Sequence, residues 1–189
     1  MRKQLKNKNL TFMMPVLLIS TYDDEGKVNV MNAAWVTLED SDVILIQLTS
    51  DHKTSKNILS RKAFTVSNAT LNVVEAADYC GLVSGNDVED KFEKMKLHSH
   101  PSQKVDAPII DELPVTMECS LLRIDETNGD FAVYGKIESV EVDDRYLDEN
   151  GRLDIDACQF ITYNPMDHSY RLVGKKVANA FQCGLKMKQ

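Results

Sequence analysis

A chain of 189 residues is long enough to bury one ordinary core without disulfide or metal staples, so a single domain is expected. Its 43% hydrophobic and 27% charged residues exclude a disordered chain. The formal charge of -7, from 22 basic and 29 acidic residues, opposes broad attraction to nucleic acid or anionic membrane and points to a small molecule or another protein as partner.

Met14 to Tyr22 is β-branched and apolar and runs into Asp23-Asp24-Glu25-Gly26, which reads as a strand and a hairpin turn. Lys27 to Trp35 alternates at Val28 and Val30 and then turns small and polar, a strand whose second half lies against something other than side-chain core. Asp42 to Thr49 predicts a central strand, Thr54 to Arg61 a short helix with Thr54 near its start, and Ala63 to Ser67 another strand. Val73 to Cys80 and Val88 to Leu97 have helical spacing, and Pro101 to Pro114, with three prolines, predicts an ordered surface loop. Thr116 to Ile124 and Phe131 to Val142 flank Asn128-Gly129, the strongest hairpin signal in the chain. An acidic, turn-rich stretch, Asp143 to Asp156, precedes a mixed segment holding Phe160, Tyr163, Tyr170 and Leu172. Antiparallel strands interrupted by short helices, then a long hairpin, favour a β-barrel with helical decoration over a parallel α/β sheet.

No apolar run approaches the ~20 residues of a membrane span. Met1 to Asn9 is basic and polar and unlike a secretory leader, so a cytoplasmic location is expected. Cys80, Cys119, Cys158 and Cys183 are scattered and read as free structural thiols. His98 and His100 lack a third metal ligand at a recognisable spacing, and no metal site is expected.

Two segments can carry chemistry. Thr49-Ser50-Asp51-His52-Lys53-Thr54 puts hydroxyls, a cation, an imidazole and unpaired N–H groups at a strand-to-helix junction, which suits a phosphate. Plain helix capping by Thr54 is the alternative. Asn29 to Trp35, with Ala33 and Ala34, offers a flat wall for a planar ligand; the alternative is tight strand packing with Trp35 as a core aromatic. Neither a Gly-rich nucleotide fingerprint nor a hydrolase nucleophile motif is present.

The run Pro15-Val16-Leu17-Leu18-Ile19-Ser20-Thr21-Tyr22, with Gly26 and Asn29-Val30-Met31-Asn32-Ala33-Ala34-Trp35, resembles the opening of flavin reductase-like proteins related to flavoredoxin. His52-Lys53-Thr54 with Asn57-Ile58 resembles the family's phosphate segment, and Phe64-Thr65-Val66-Ser67 its following strand. Ala77-Asp78-Tyr79-Cys80-Gly81, Val83-Ser84-Gly85, Asp90-Lys91-Phe92, Ala107-Pro108, Glu118-Cys119, Tyr170-Arg171-Leu172, Gly174 and Ala180-Phe181 carry the likeness to the C-terminus. The resemblance implies a mainly β, Greek-key FMN-binding split barrel, one domain over 1–189 with 1–12 as an N-terminal extension, working as a homodimer.

In such proteins residues like His52, Lys53 and Thr54 hold the flavin phosphate, with Thr49 and Asn57 as further cofactor contacts, and Asn29, Val30, Met31, Asn32, Ala33, Ala34 and Trp35 run beside the isoalloxazine ring. Ser20 and Thr21 would lie near the ribityl chain or ring, with Ser67, Asn68, Ser84, Gly85 and Lys91 as further contacts; Asn68-Ala69 departs from many relatives. The implied activity is an oxidoreductase moving electrons between NAD(P)H or a protein donor and a flavin or other acceptor, the alternative being a flavoredoxin-like carrier without its own small-molecule substrate. FMN carries the chemistry in either case, and no side chain is assigned as catalytic acid, base or nucleophile.

Overall fold

In a computed structural model, residues 2–4, 6 and 13–188 are described; most of the expected N-terminal extension lies outside them. The chain forms β1 (Met14–Pro15), β2 (Leu17–Tyr22), β3 (Val28–Ala33), β4 (Val36–Asp40), β5 (Val43–Thr49), α1 (Lys53–Arg61), β6 (Ala63–Asn68), α2 (Val74–Leu82) and α3 (Lys91–Met95). There follow β7 (Ser99–Pro101), β8 (Pro108–Ile110), β9 (Val115–Thr127), β10 (Asp130–Val142), α4 (Ile155–Cys158), β11 (Ile161–Asn164) and β12 (Ser169–Leu172).

Seven strands make one antiparallel sheet in the order β3-β2-β6-β9-β10-β5-β4. Laid flat, its outer strands would stand roughly 29 Å apart at about 4.8 Å per strand. Yet those two edge strands, β3 and β4, are joined by Ala34 and Trp35 alone. The sheet therefore curls until its two edge strands approach each other at that link without pairing, and the unpaired gap beside Ala34 and Trp35 is the split of a barrel. This bears out the expected split β-barrel.

The barrel is filled by Leu17, Ile19, Ile44, Ile46, Phe64, Val66 and Val133. Gly135 makes room for Phe64: a Cβ there would overlap the ring and lie 3.3 Å from Ile44 Cγ2. The intervening side chains Leu18 and Val30 join Val16, Ala77, Cys80 and Ile110 in a second core outside the barrel. Strand β2 is thus covered on both faces, which is why it reads as continuously apolar. The β9–β10 hairpin turns at Asn128 and Gly129 with φ of 55° and 84°, the left-handed pair that twists with its strands.

Two expectations are corrected, the alternative reading of Trp35 is set aside, and strand β4 is an addition to the expected strands. The helix expected over Val88 to Leu97 is confined to Lys91–Met95, because the Val88 N–H turns back to the Ser84 carbonyl and Lys96 stops the helix with φ 55°. The proline-rich loop contains β8, paired with β7. Trp35 is 61% exposed and no core aromatic.

Candidate functional site

Helix α1 begins where β5 ends, and its N-cap is His52, whose side chain makes no capping bond. Thr54 does not cap. It sits inside the first turn, and its hydroxyl accepts a 2.8 Å hydrogen bond from Asn29 Nδ2. No acidic residue lies in that turn, so the unpaired N–H groups and the positive end of the helix remain available. His52 Nδ1 is buried without a partner.

Around this helix end lies a hollow of about 270 Å³, lined by Asn29, Lys53, Thr54, Ser84, Gly85 and Lys91 among others. Lys91 is 4% exposed. Its ammonium donates to the Cys80 carbonyl at 2.8 Å, and among the described residues it forms no salt bridge. Burial pulls its pKa below the ordinary lysine value, the signature of a cation lacking a counter-charge. Lys53 is partly committed, 3.2 Å from Asp23. Burial alone would raise the Asp23 pKa, but the Lys27 N–H and the Lys53 ammonium outweigh it and hold the carboxyl low.

A second hollow, about 340 Å³, opens at the barrel's split and is lined by Ala33, Ala34, Trp35, Gln47, Tyr163 and Tyr170, with Thr49 at its rim. Met31, Asn32, His52 and Gly81 line both hollows, so the two form one cleft, with Lys53, Lys91 and the N-terminus of α1 at one end and a more apolar wall at the split. The Asn32 amide donates to the Ala77 carbonyl at 2.9 Å, holding α2 against β3. Tyr170 donates to Asp78 at 2.8 Å; burial and that carboxylate push its pKa up to about 12.

Thirteen of the expected contacts line the cleft: Asn29, Met31, Asn32, Ala33, Ala34, Trp35, Thr49, His52, Lys53, Thr54, Ser84, Gly85 and Lys91. Six do not. Val30 is fully buried in the outer core. Thr21 accepts from the Asn57 amide at 2.9 Å, and Ser67 pairs with Thr116 at 2.7 Å, all buried. Ser20 is buried without a partner, and Asn68 ends β6 opposite Leu17. Tyr163, Tyr170 and Gln47 were not anticipated. The tyrosines arrive through the β11–β12 register, which no local pattern announces. The spacing of Gly81 and Gly85 was the available signal for the Leu82-Val83 wall.

Cys80 and Cys119 have thiol pKa values pushed to about 12 by burial; all four cysteines are free. At neutral pH these two are not nucleophiles. No group of three or more metal-ligating side chains occurs among the described residues, and His98 and His100 instead pair with Glu112 and Asp111.

Fold and cleft together define a split-barrel protein whose cleft carries Lys53, Lys91 and the N-terminus of α1 at one end and a mostly apolar wall at the other. The flavin reductase like domain family matches residues 10–157, and the chain belongs to that family. It is similar to the flavoredoxin of Desulfovibrio vulgaris (Miyazaki F), at 33% identity over 97% of this chain and 100% of that one, with a TM-score of 0.90. The flavoredoxin from Methanosarcina acetivorans shares the fold, at 24% identity over 99% of each chain and a TM-score of 0.88. An uncharacterized protein of Aquifex aeolicus (strain VF5) is 28% identical over 184 residues, 92% of this chain and 88% of its own.

Proposed function

We propose that the chain binds FMN in this cleft and, as a homodimer, moves electrons between NAD(P)H or a redox protein and a flavin or other acceptor. One observation carries the reading: the buried, unpaired ammonium of Lys91 and the uncapped first turn of α1 share the polar end of a cleft whose other end is walled by Ala33 and Ala34. A phosphate dianion supplies the charge that Lys91 lacks and accepts the free N–H groups. The orphaned His52 Nδ1 gives the same ligand a further polar contact. Gly85 keeps the phosphate end open, since a Cβ there would overlap Asn29 Oδ1.

FMN rather than FAD is favoured by what adjoins that end. A neighbouring hollow of about 530 Å³ is lined by five carboxylates, Asp23, Asp24, Glu25, Asp87 and Glu89, against three lysines, Lys27, Lys53 and Lys91, and this net negative lining disfavours a second phosphate. Bound FMN supplies the hydride and single-electron chemistry. The protein's part is to hold the phosphate with Lys91 and the α1 N-terminus, keep the ring wall flat with Ala33 and Ala34, and limit water with Trp35, Tyr163 and Tyr170. Four unpaired cysteines accord with a cytoplasmic location.

The 33% identity to a flavoredoxin favours a second reading, an electron carrier with no small-molecule substrate. The absorption spectrum of the purified protein tests flavin binding, and steady-state NAD(P)H oxidation with added free flavin separates the readings. A flavin spectrum with turnover supports the reductase and one without turnover the carrier; a colourless protein that ignores added FMN overturns both.

A further inference from the structure

Beyond Leu172 the chain leaves its own body. Every residue from Leu172 to Lys188 is exposed, Val177 by 97% and Phe181 by 98%. Among the described residues, the backbone hydrogen bonds of 174–188 stay within the segment, and Val173 N–H to the Phe160 carbonyl is the last tie to the barrel. The segment has no regular structure to residue 179 and then passes through turns into a short 3₁₀ helix, Leu185–Lys188. An arm presenting Val177 and Phe181 almost wholly, and Met187 largely, to water is the kind of apolar surface that marks a contact with another molecule.

The arm is also basic. Residues 174–189 hold Lys175, Lys176, Lys186 and Lys188 and no acid, so the remaining chain has 18 basic against 29 acidic residues, a formal charge of -11. The complementary surface is present on the same molecule. Strand β4 is an open sheet edge, paired on one side by β5, with Trp35 61% and Leu38 60% exposed. Beside them Glu39, Asp40 and Asp42 are exposed, and none forms an ion pair among the described residues. Apolar side chains flanked by lysines thus face a need that apolar side chains flanked by carboxylates share.

We propose that the C-terminal arm, residues 173–188, docks on the β4 edge of a second copy of this chain, with Val177 and Phe181 covering Trp35 and Leu38 and the arm's lysines meeting Glu39, Asp40 and Asp42. This rests on the two-copy assembly proposed above and adds what holds it together. Trp35 also lines the apolar hollow, so the partner's arm closes the outer side of the ligand cleft. Two-fold symmetry makes the exchange reciprocal, each arm serving the other's cleft.

Trp35 is the sole tryptophan, so its fluorescence reports the contact in the full-length, flavin-free protein and does not depend on the identity of the ligand. The expected result is a dimer by sedimentation velocity with Trp35 shielded from acrylamide. In Val177→Ser/Phe181→Ser its emission should shift red, quenching should rise, and the dimer should weaken by about tenfold or more, as removal of buried interface anchors does. Both residues are outside the core, so the variant keeps its fold by circular dichroism.

A second arm uses Cys183, the exposed thiol of the segment. With a short bismaleimide, Leu38→Cys should give covalent dimers well above the wild-type level, and Leu38→Cys/Cys183→Ala should not. A wild type that is monomeric overturns the inference. So does a dimer whose Trp35 emission and stability ignore the arm substitutions, or a cross-link confined to monomers; FMN binding is read separately and stands or falls by its own titration.

Discussion

Replacing Gly85 with Ala probes the phosphate end of the cleft through one methyl group. The added Cβ would overlap Asn29 Oδ1 and lie 3.3 Å from Asn29 Cγ and 3.2 Å from Lys53 Cγ. Asn29 is 6% exposed and its amide is spent on Thr54 Oγ1. Either that buried bond breaks or the 83–86 loop is pushed outward, and both move the wall of the hollow. Losing a buried hydrogen bond costs about 1–3 kcal/mol, and overpacking is of the same order. FMN affinity should therefore fall roughly 5- to 150-fold, at tenfold per about 1.4 kcal/mol. The control is Gly135→Ala, whose Cβ would overlap Phe64 inside the barrel, away from the cleft. It should lower Tm, by about 2–4 °C per kcal/mol for a chain of this size, while the folded fraction binds FMN as wild type does. FMN titration of each flavin-free variant, with melting curves alongside, measures both. Wild-type affinity in Gly85→Ala, or an equal loss in Gly135→Ala, would refute the reasoning.

Lys53→Ala/Thr54→Val should weaken FMN binding by about 2–4 kcal/mol, charge-assisted bonds being worth roughly 1.5–3 each, and should nearly erase the preference for FMN over riboflavin; a change under about twofold puts the phosphate elsewhere. Ala34→Leu should reduce FMN affinity with little change in apo Tm, whereas Ala33→Leu should lower both, because Ala33 is 8% exposed and shared with the barrel core; unaltered affinity in both removes this wall from the site. Burial lowers the Lys91 pKa, so the flavin-free protein should gain stability as pH rises from that lowered value towards about 10.5. Lys91→Met should abolish that gain, keep apo Tm at pH 7 or raise it, and weaken FMN; a lower Tm with intact affinity would make the cation structural. Donating to the carboxylates of Glu112 and Asp111 raises the pKa values of His98 and His100. Their stabilisation is complete below about pH 6.5 and is lost as pH rises through the raised values; His98→Asn/His100→Asn should flatten Tm between pH 6 and 8, and an unchanged slope would refute the assignment.

The barrel was legible in the sequence where burial and periodicity coincide. Strand β2 is covered on both faces and reads as unbroken apolar chain, and Asn128-Gly129 announces its hairpin through the backbone conformation it needs. Strand β4 was illegible because Thr37, Leu38, Glu39 and Asp40 are all exposed on a sheet edge, which leaves no buried face to impose alternation. In the site, Asn29 to Trp35 and His52 to Thr54 were legible because each is a short continuous run, at the end of β3 and at the start of α1. Thr21, Asn57 and Ser67 look the same in sequence as cleft residues. Their polar groups are satisfied by one another and by Thr116 inside the protein, a pairing fixed by how α1 and β9 pack on β2 and β6. Nothing local could bring Tyr163 and Tyr170 to Trp35, since their place is set by the β11–β12 pairing more than a hundred residues further along the chain.

The central claim, an anionic flavin held by its phosphate at the N-terminus of α1, is tested most directly by titrating the flavin-free, full-length protein with FMN, FAD and riboflavin and following flavin fluorescence. The account predicts saturable binding of one FMN per chain, with riboflavin at least about tenfold weaker, since a single charge-assisted phosphate contact is worth more than that ratio, and FAD weaker than FMN because its second phosphate meets the net negative lining beside that end. Riboflavin binding as tightly as FMN, or no flavin binding at all, would contradict it.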